Sequence, residues 1–203
     1  MKGFISGHHN YHVAGIDSYL MRESRGDSHL LRVFHATDMS DIQDVLTDGD
    51  YSVAPHNHSF DLILFKLFGE AGDVRFKQAS DGESADYEYP LSKDGNSFTF
   101  QTPKLTHLYI HGMSRIGLNG IRIPASDIHT VIASPGSAWL SVQVASGDAD
   151  VFCYSRKPDF KLDTASLYVP MSDEDLQGVS HIFKMANSIA EMLGQRGVIE
   201  WQA

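Results

Sequence analysis

Two histidines separated by one residue, His56 and His58, stand at the start of an apolar segment that ends at Gly69. In an extended chain, residues two apart leave the same face, so both imidazoles point the same way. Two neighbouring imidazoles can bind one metal ion, because the neutral histidine nitrogen is a common metal ligand. The pair therefore predicts a site for a small ligand on a strand.

The other histidines stand in less specific patterns. Of the 11 histidines in the chain, His8, His9 and His12 lie among glycine and asparagine, where we expect a frayed terminus rather than a site. His107 and His111 alternate with apolar residues, which places both on one face of a strand. We interpret these two as hydrogen-bonded residues of a pocket wall, with metal coordination as the alternative.

Runs rich in β-branched and aromatic residues, separated by turn residues, predict that most of the chain consists of short strands. Asp94-Gly95 is a strong hairpin signal between two of them, and a second turn is expected at residues 134–137. The predicted strands are 28–36, 86–91, 97–102, 104–113, 120–124, 128–133, 138–145 and 150–155.

Two segments have helical periodicity instead. Asp38–Leu46 has apolar residues at helical spacing and aspartates in its first turn, which predicts a short N-terminal helix. From Ser172, which can cap the helix together with Asp175, to Gly194, apolar residues recur every three or four positions. This predicts one amphipathic C-terminal helix whose stripe packs on the β body or on a second subunit.

The composition limits the class of protein. A chain of 203 residues is expected to form one domain over residues 1–203, and no segment approaches the roughly 18 apolar residues of a membrane span. The net charge of -10 and the scattered basic residues argue against a nucleic-acid partner. Cys153 is the only cysteine, and residues 1–12 lack the apolar core of a signal peptide, so we expect a cytoplasmic protein.

The segment around the paired histidines matches a known sequence motif. The motif is a glycine, then His-x-His, a glutamate and a closing glycine, and Gly49 and Gly69 stand at its glycine positions. A second motif, a glycine followed by Pro-x-Gly-x-x-His and an asparagine, is matched by Gly117 and by residues 124–129, which end in His129. Together the two motifs resemble those of the cupin superfamily, whose members are small β-barrels of the jelly-roll type.

The resemblance implies the fold and the domain organisation. It predicts an all-β jelly-roll (cupin-like) barrel with a short N-terminal helix and a C-terminal amphipathic helix. The cupin-like core is expected over about residues 50–157 and a C-terminal helical extension over 171–203. Because such barrels commonly pair, and the stripe of the C-terminal helix is wide, we also expect a homodimer.

The resemblance also implies a metal site, but with altered ligands. The glutamate of the first motif falls on Leu62, and the neighbouring Asp61 has the opposite strand parity. The asparagine of the second motif is replaced by Ala133. The metal ligands that remain are three histidines: His56, His58 and His129.

Three imidazoles suit a divalent ion such as Fe, Zn, Ni, Cu or Mn and leave coordination positions open for substrate, dioxygen or water. Asp61, His107 or His111 are the candidates for a fourth ligand. Within the superfamily, a three-histidine set is similar to that of the thiol and diketone dioxygenases. Cys153 and Tyr154 cannot both line such a pocket, because adjacent strand residues point to opposite faces.

The sequence leaves two functions open and does not decide whether the protein is an enzyme. The first is a mononuclear non-haem metal dioxygenase, or a related enzyme, that acts on a small molecule. The second is a binding module for a sugar or carboxylate, with or without metal and without catalysis. Leu62 separates the two, since an apolar residue at a ligand position weakens the case for an enzyme.

Overall fold

The computed structural model describes residues 3–11, 15–23, 29–37, 54–80, 86–94, 97–144, 150–157 and 167–196. Within these ranges the chain forms 13 strands, which all pair in antiparallel fashion, and two helices. The strands are β1 Ser6–His9, β2 Ile16–Glu23, β3 His29–Ala36, β4 Asp61–Phe68, β5 Ala71–Ala79, β6 Asp86–Asp94, β7 Ser97–Phe100, β8 Lys104–Arg115, β9 Ile121–Ile123, β10 Ile128–Ala133, β11 Ala138–Val144, β12 Val151–Ser155 and β13 Val169–Pro170. The helices are α1 Asp173–Gly178 and α2 Ser180–Gln195.

One sheet has seven strands in the order β13-β1-β2-β3-β11-β4-β9. Its central strand β11 pairs with β3 on one side and β4 on the other, so that Leu140 lies opposite both Val33 and Phe65. The N-terminal residues His8 and His9 are part of β1 and pair with β2 and β13. The expectation of a frayed terminus is therefore wrong for these two histidines, while His12 lies outside the described residues.

The second sheet has the order β10-β5-β8-β6-β12, with β7 added alongside β6. Its terminal strands β10 and β12 both pair with His56, which precedes β4 in the chain. His56 forms one bridge to His129 of β10 and another to Cys153 of β12. The backbone N–H of His56 donates to the His129 carbonyl at 3.0 Å, and the N–H of His129 returns a bond of 2.9 Å. This pairing brings the His-x-His segment to the strand that carries the third histidine.

Both faces of the seven-stranded sheet are apolar. On one face of β4, Leu62 and Leu64 pack in a buried cluster that also contains Ala71 and Ala133 of the other sheet. On the opposite face, residues such as Phe65 pack in a second cluster together with helix α2. This double burial explains why β4 reads as an almost unbroken apolar run instead of an alternating one.

Two helices stand where the periodicity predicted one. Ser172 caps α1 as expected: its side chain accepts from the Asp175 N–H, and the Asp175 carboxylate accepts from the Ser172 N–H. Between the helices, Val179 leaves helical geometry with φ -99° and ψ 19°. The buried residues of α2 pack against the seven-stranded sheet of the same chain: Ile182, Ala186, Ala190 and Leu193. The exposed stripe from which we expected a homodimer is therefore covered by the chain itself.

Gly69 ends β4 with φ +71°, a left-handed conformation that favours glycine. A Cβ atom at this position would collide with Ser137. The Ser137 hydroxyl donates to the Glu70 carbonyl and accepts from the Glu70 N–H, both at 2.9 Å. The closing glycine of the first motif is thus required by the tight connection from β4 to β5.

The predicted helix at Asp38–Leu46 and the first motif's Gly49 lie outside the described residues. In the part of the chain that is described, no helix combines the length and the apolar composition needed to cross a bilayer. These residues form a mostly β protein whose antiparallel sheets curl into a half-barrel, which agrees with the predicted all-β, barrel-like class.

Candidate metal centre

The structure brings His56, His58 and His129 together, as the sequence predicted. One side-chain nitrogen of each lies within 4.8 Å of the corresponding atoms of the other two. The Nε2 atoms of His58 and His129 are 2.9 Å apart. His129 is buried and the other two are partly buried, so the cluster lies at the boundary of the interior.

Backbone contacts from three elements position the cluster. His56 is held between β10 and β12, and the N–H of His58 donates to the Ala125 carbonyl at 3.1 Å. On β10, His129 shares a strand face with Val131 and Ala133, which pack in the cluster between the sheets. The three imidazoles therefore come from two separate segments that are fixed against each other.

The tautomers of two of the histidines follow from their hydrogen bonds. Nδ1 of His129 lies 2.8 Å from a carboxylate oxygen of Asp73, and Nδ1 of His56 lies 2.8 Å from the Ala54 carbonyl. Both partners only accept hydrogen bonds, so each Nδ1 carries the proton and each Nε2 keeps a lone pair. These Nε2 atoms have the electronic form that binds a metal ion.

Asp73 is a residue of the candidate site that sequence reasoning missed. Its side chain and that of His129 are 0% and 2% exposed, and its second oxygen accepts from Nε of Arg75 at 2.8 Å. Arg75 in turn contacts Asp127 at 3.3 Å and donates to the Arg122 carbonyl at 2.7 Å. An acidic residue between glycine and valine, next to an apolar segment, was the available signal, since a buried acid needs a partner.

Asp61 lies outside the three-histidine group. One carboxylate oxygen accepts from the Ala125 N–H at 2.9 Å, and the other pairs with the Arg122 guanidinium. Because Ala125 also accepts from His58, Asp61 acts on the site by fixing the backbone beside it. His107 and His111 of β8 also lie outside the group, and His111 is exposed, so neither supplies a fourth ligand.

Apolar residues occupy the positions where the cupin motifs have a glutamate and an asparagine. Leu62 is 6% exposed and Ala133 is 1% exposed, and both belong to the cluster between the sheets. Trp139 and Ile123 complete the same apolar wall. The two positions are therefore occupied by packing residues that offer neither a ligand nor a proton acceptor.

Cys153 pairs with His56 through the backbone but does not contribute a reactive thiol. Burial raises the pKa of Cys153 to about 12, so the thiol stays protonated near neutral pH. Burial and the nearby Glu88 also raise the pKa of Tyr154, whose hydroxyl donates to the Glu88 carboxylate at 3.0 Å. Both groups are thus neutral parts of the interior.

In comparisons with known proteins, no family model and no curated protein sequence matches this chain. The fold and the site define its class: a mostly β protein with curled antiparallel sheets and three histidines close enough to hold a metal ion. This arrangement is compatible with a cupin-like jelly roll.

Proposed function

We propose that this chain is a metal-dependent enzyme with a cupin-like jelly-roll barrel, in which His56, His58 and His129 bind one divalent metal ion. One observation carries the proposal. The Nδ1 atoms of His56 and His129 are each bound to an acceptor, so Nε2 is the unprotonated nitrogen of both rings, and the ligand atoms of all three histidines lie within 4.8 Å of one another. Such outer hydrogen bonds are typical of metal-binding histidines.

The spacing of the nitrogens supports a first-row ion such as Fe, Zn, Ni or Mn. Nitrogen ligands about 2.1 Å from one ion lie about 3.0 Å apart at right angles and about 3.4 Å apart in a tetrahedron. The 2.9 Å between the Nε2 atoms of His58 and His129 agrees with the right-angle value. Three nitrogens at right angles would leave several positions open, as in a non-haem iron site and unlike a closed structural zinc site.

The reaction class that we favour is a mononuclear non-haem dioxygenase acting on a small molecule. A three-ligand metal supplies a Lewis acid and a place where dioxygen and substrate meet. The chain's own residues orient His129 through Asp73, and Leu62 and Trp139 form part of an apolar wall between the sheets. Because Leu62 accepts no proton, any proton transfer at that wall has to use the substrate or water.

A second candidate is a binding module without catalysis. The 2.9 Å contact between His58 and His129 is also a good imidazole–imidazole hydrogen bond, in which Nε2–H of His58 donates to the unprotonated Nε2 of His129. A neutral pair of this kind requires no metal and leaves a polar wall for a sugar or carboxylate. The two candidates differ in whether a metal displaces that shared proton.

Metal content tests the proposal directly. Protein purified without a histidine tag is titrated with Fe(II), Zn, Ni and Mn, beside His129→Ala and the exposed control His111→Ala. We expect about one ion per chain for the wild type and for His111→Ala, and none for His129→Ala. If the wild type binds no ion, or if His129→Ala binds as tightly, the metal centre is refuted and the binding module remains.

The open coordination positions are tested separately. Nitric oxide added under argon to the Fe(II)-loaded protein should give the paramagnetic resonance signal of an iron–nitrosyl centre. A protein that binds iron without producing this signal has no exchangeable position, which contradicts the dioxygenase. We propose that the enzyme is a cytoplasmic homodimer that acts on a small-molecule substrate and does not bind nucleic acid.

A further inference from the structure

A row of side chains on β1, β2 and β3 points into the space between the two sheets. His8 lies opposite Ser18, and Ser18 lies opposite Phe34, so the three share one face of the sheet. Phe34 stacks on Trp139 with ring centroids 5.6 Å apart and packs on the cluster between the sheets. Arg32 stands two residues before Phe34 on β3 and therefore shares that face.

No acidic side chain of the described residues forms an ion pair with Arg32 in this row. Its Nη1 donates to the Ser18 hydroxyl at 2.7 Å, and its guanidinium carbon lies 4.6 Å from the centroid of the Tyr11 ring. Its Nε is buried and has no hydrogen-bond partner among the described residues, where Arg32 also forms no ion pair. A guanidinium is always charged, so a buried, unpaired donor of this kind is costly unless a ligand satisfies it.

His8 adds a second unsatisfied group to the same row. Its Nδ1 is buried and also lacks a hydrogen-bond partner within the described ranges. Burial and the positive charge of Arg32 lower the pKa of His8, so the imidazole is neutral and the net charge is that of the guanidinium. The adjacent carboxylate of Asp17 does not compensate it, because Asp17 has the opposite strand parity and lies 3.1 Å from His9.

The Tyr11 ring beside the guanidinium belongs to a group of packed aromatic rings. The Tyr11 ring packs edge-on against Phe34 and Tyr168, with centroids 5.7 and 5.1 Å away. Tyr168 is close enough to Cys153 for the two to interact electrostatically, and the backbone of Cys153 pairs with His56. The row that contains Arg32 and the strand face that carries His129 both pack on the cluster between the sheets, through Phe34 on one side and through Val131 and Ala133 on the other.

We propose that Arg32, His8 and Ser18 form an anion-binding subsite that takes the carboxylate, or another oxyanion group, of an organic ligand. Arg32 donates from Nε to one oxygen, His8 donates to another, and the rings of Tyr11, Phe34 and Tyr168 contact the organic part. That this ligand is the substrate of the histidine cluster rests on the proposed function, whereas anion binding itself does not.

Benzoate and its neutral analogue benzamide are suitable probes for this subsite. Calorimetric titration of the full chain, stripped of metal by a chelator, compares the wild type with Arg32→Gln and with the control Arg115→Gln. Arg115 is a matched control because it is 73% exposed and pairs only at the surface with Glu70. We expect benzoate to bind the wild type and Arg115→Gln, benzamide to bind at least about tenfold more weakly, and Arg32→Gln to lose about 10- to 100-fold in benzoate affinity.

Two further measurements separate a ligand site from a structural arginine. In anion-free buffer, Arg32→Gln should unfold at the same or a higher temperature than the wild type, because it removes an unpaired buried charge; benzoate should then stabilise only the wild type. Arg32→Lys, which keeps the charge but loses the planar fork, should bind benzoate weakly and serves if Arg32→Gln does not fold.

The proposal is overturned if the wild type binds neither benzoate nor inorganic phosphate, or if both Arg32 variants bind benzoate as tightly as the wild type. His129→Ala distinguishes this result from a failure of the proposed function. It should retain benzoate binding, since it changes the metal ligands and leaves the row on β1 to β3 intact. If His129→Ala loses metal binding and keeps benzoate binding, the metal centre and the anion subsite are both supported. If only one of the two ligands binds the wild type, only the proposal for the other ligand is refuted.

Discussion

At the scale of single residues, Asp73 is the group on which the orientation of His129 depends. Replacing Asp73 by Asn keeps the size of the side chain but substitutes a neutral, weaker acceptor for the carboxylate. We expect the affinity for Zn, measured by competition with a chelating dye, to fall about 10- to 100-fold, because a metal ligand loses the partner that fixes its tautomer.

Asp127→Asn is the matched control for this substitution. Asp127 also contacts Arg75, at 3.3 Å, but Arg75 lies between it and the Asp73–His129 pair. The control should leave the metal affinity within about twofold of the wild type, since Asp127 does not contact His129 and partly exposed ion pairs contribute little. Equal losses for the two variants would show that the charge network as a whole, and not the Asp73–His129 bond, sets the affinity.

The histidines were predictable from the sequence and Asp73 was not, for a physical reason. His56 and His58 are two residues apart, so strand periodicity alone places them on one side, and the motif around His129 indicated the third member. Asp73 and His129 are 56 residues apart in sequence, and only the pairing of β5 with β10 makes them neighbours. The same holds for Arg32 and His8, which are neighbours only because β1, β2 and β3 lie side by side in the sheet.

Cys153 gives a residue-level prediction about reactivity. Because burial raises its pKa to about 12, the reactive thiolate is scarce at pH 8, and its fraction rises only as the pH approaches that value. We expect the folded protein to react with a disulfide reagent at least about a hundredfold more slowly than the unfolded chain. Rapid stoichiometric labelling of the native protein at pH 8 would contradict the buried environment.

At the scale of elements, the strands bounded by clear turn signals were predicted, and β2 was not. β8, β10, β11 and β12 stand close to their predicted positions, because turn residues separate them. β2 was not predicted because its apolar residues point to both faces and do not alternate with polar ones. Ile16 packs between the sheets, while Tyr19 and Met21 pack towards the helix. The single predicted C-terminal helix is divided at Val179, a break that the three-and-four periodicity does not contain.

The packing of α2 on its own sheet can be tested by removing one buried side chain. Ile182 is 0% exposed and belongs to the cluster with β2, β3, β4 and β11, so Ile182→Ala should lower the free energy of unfolding by about 2 to 5 kcal/mol. Met185→Ala, on the exposed side of the same helix, should change it by less than about 1 kcal/mol. Denaturant unfolding measures both, and similar small effects would mean that the helix does not pack as described.

At the scale of the whole molecule, the two sheets contribute different parts of one interior. The second sheet supplies His129, its partner Asp73 and the pairing that holds His56, while the first sheet supplies Leu62, Trp139 and the Arg32 row. A metal or an anion bound between the sheets would contact both, so either ligand should raise the unfolding temperature of the entire chain. The burial of α2 on the first sheet extends the same unit to residue 195.

The homodimer is a prediction that now requires a surface other than the C-terminal helix. Exposed apolar residues lie along β8, where Leu105 and Met113 are 63% and 53% exposed and Tyr109 and Ile110 lie between them. If two copies pair through this strand, Leu105→Asp should convert the dimer into a monomer in sedimentation velocity at micromolar concentration. Leu118→Asp adds the same charge at an equally exposed position outside β8, so it should leave the dimer intact. A wild-type chain that sediments as a monomer refutes the homodimer, and equal dissociation of both variants would show that added charge rather than the β8 surface is responsible.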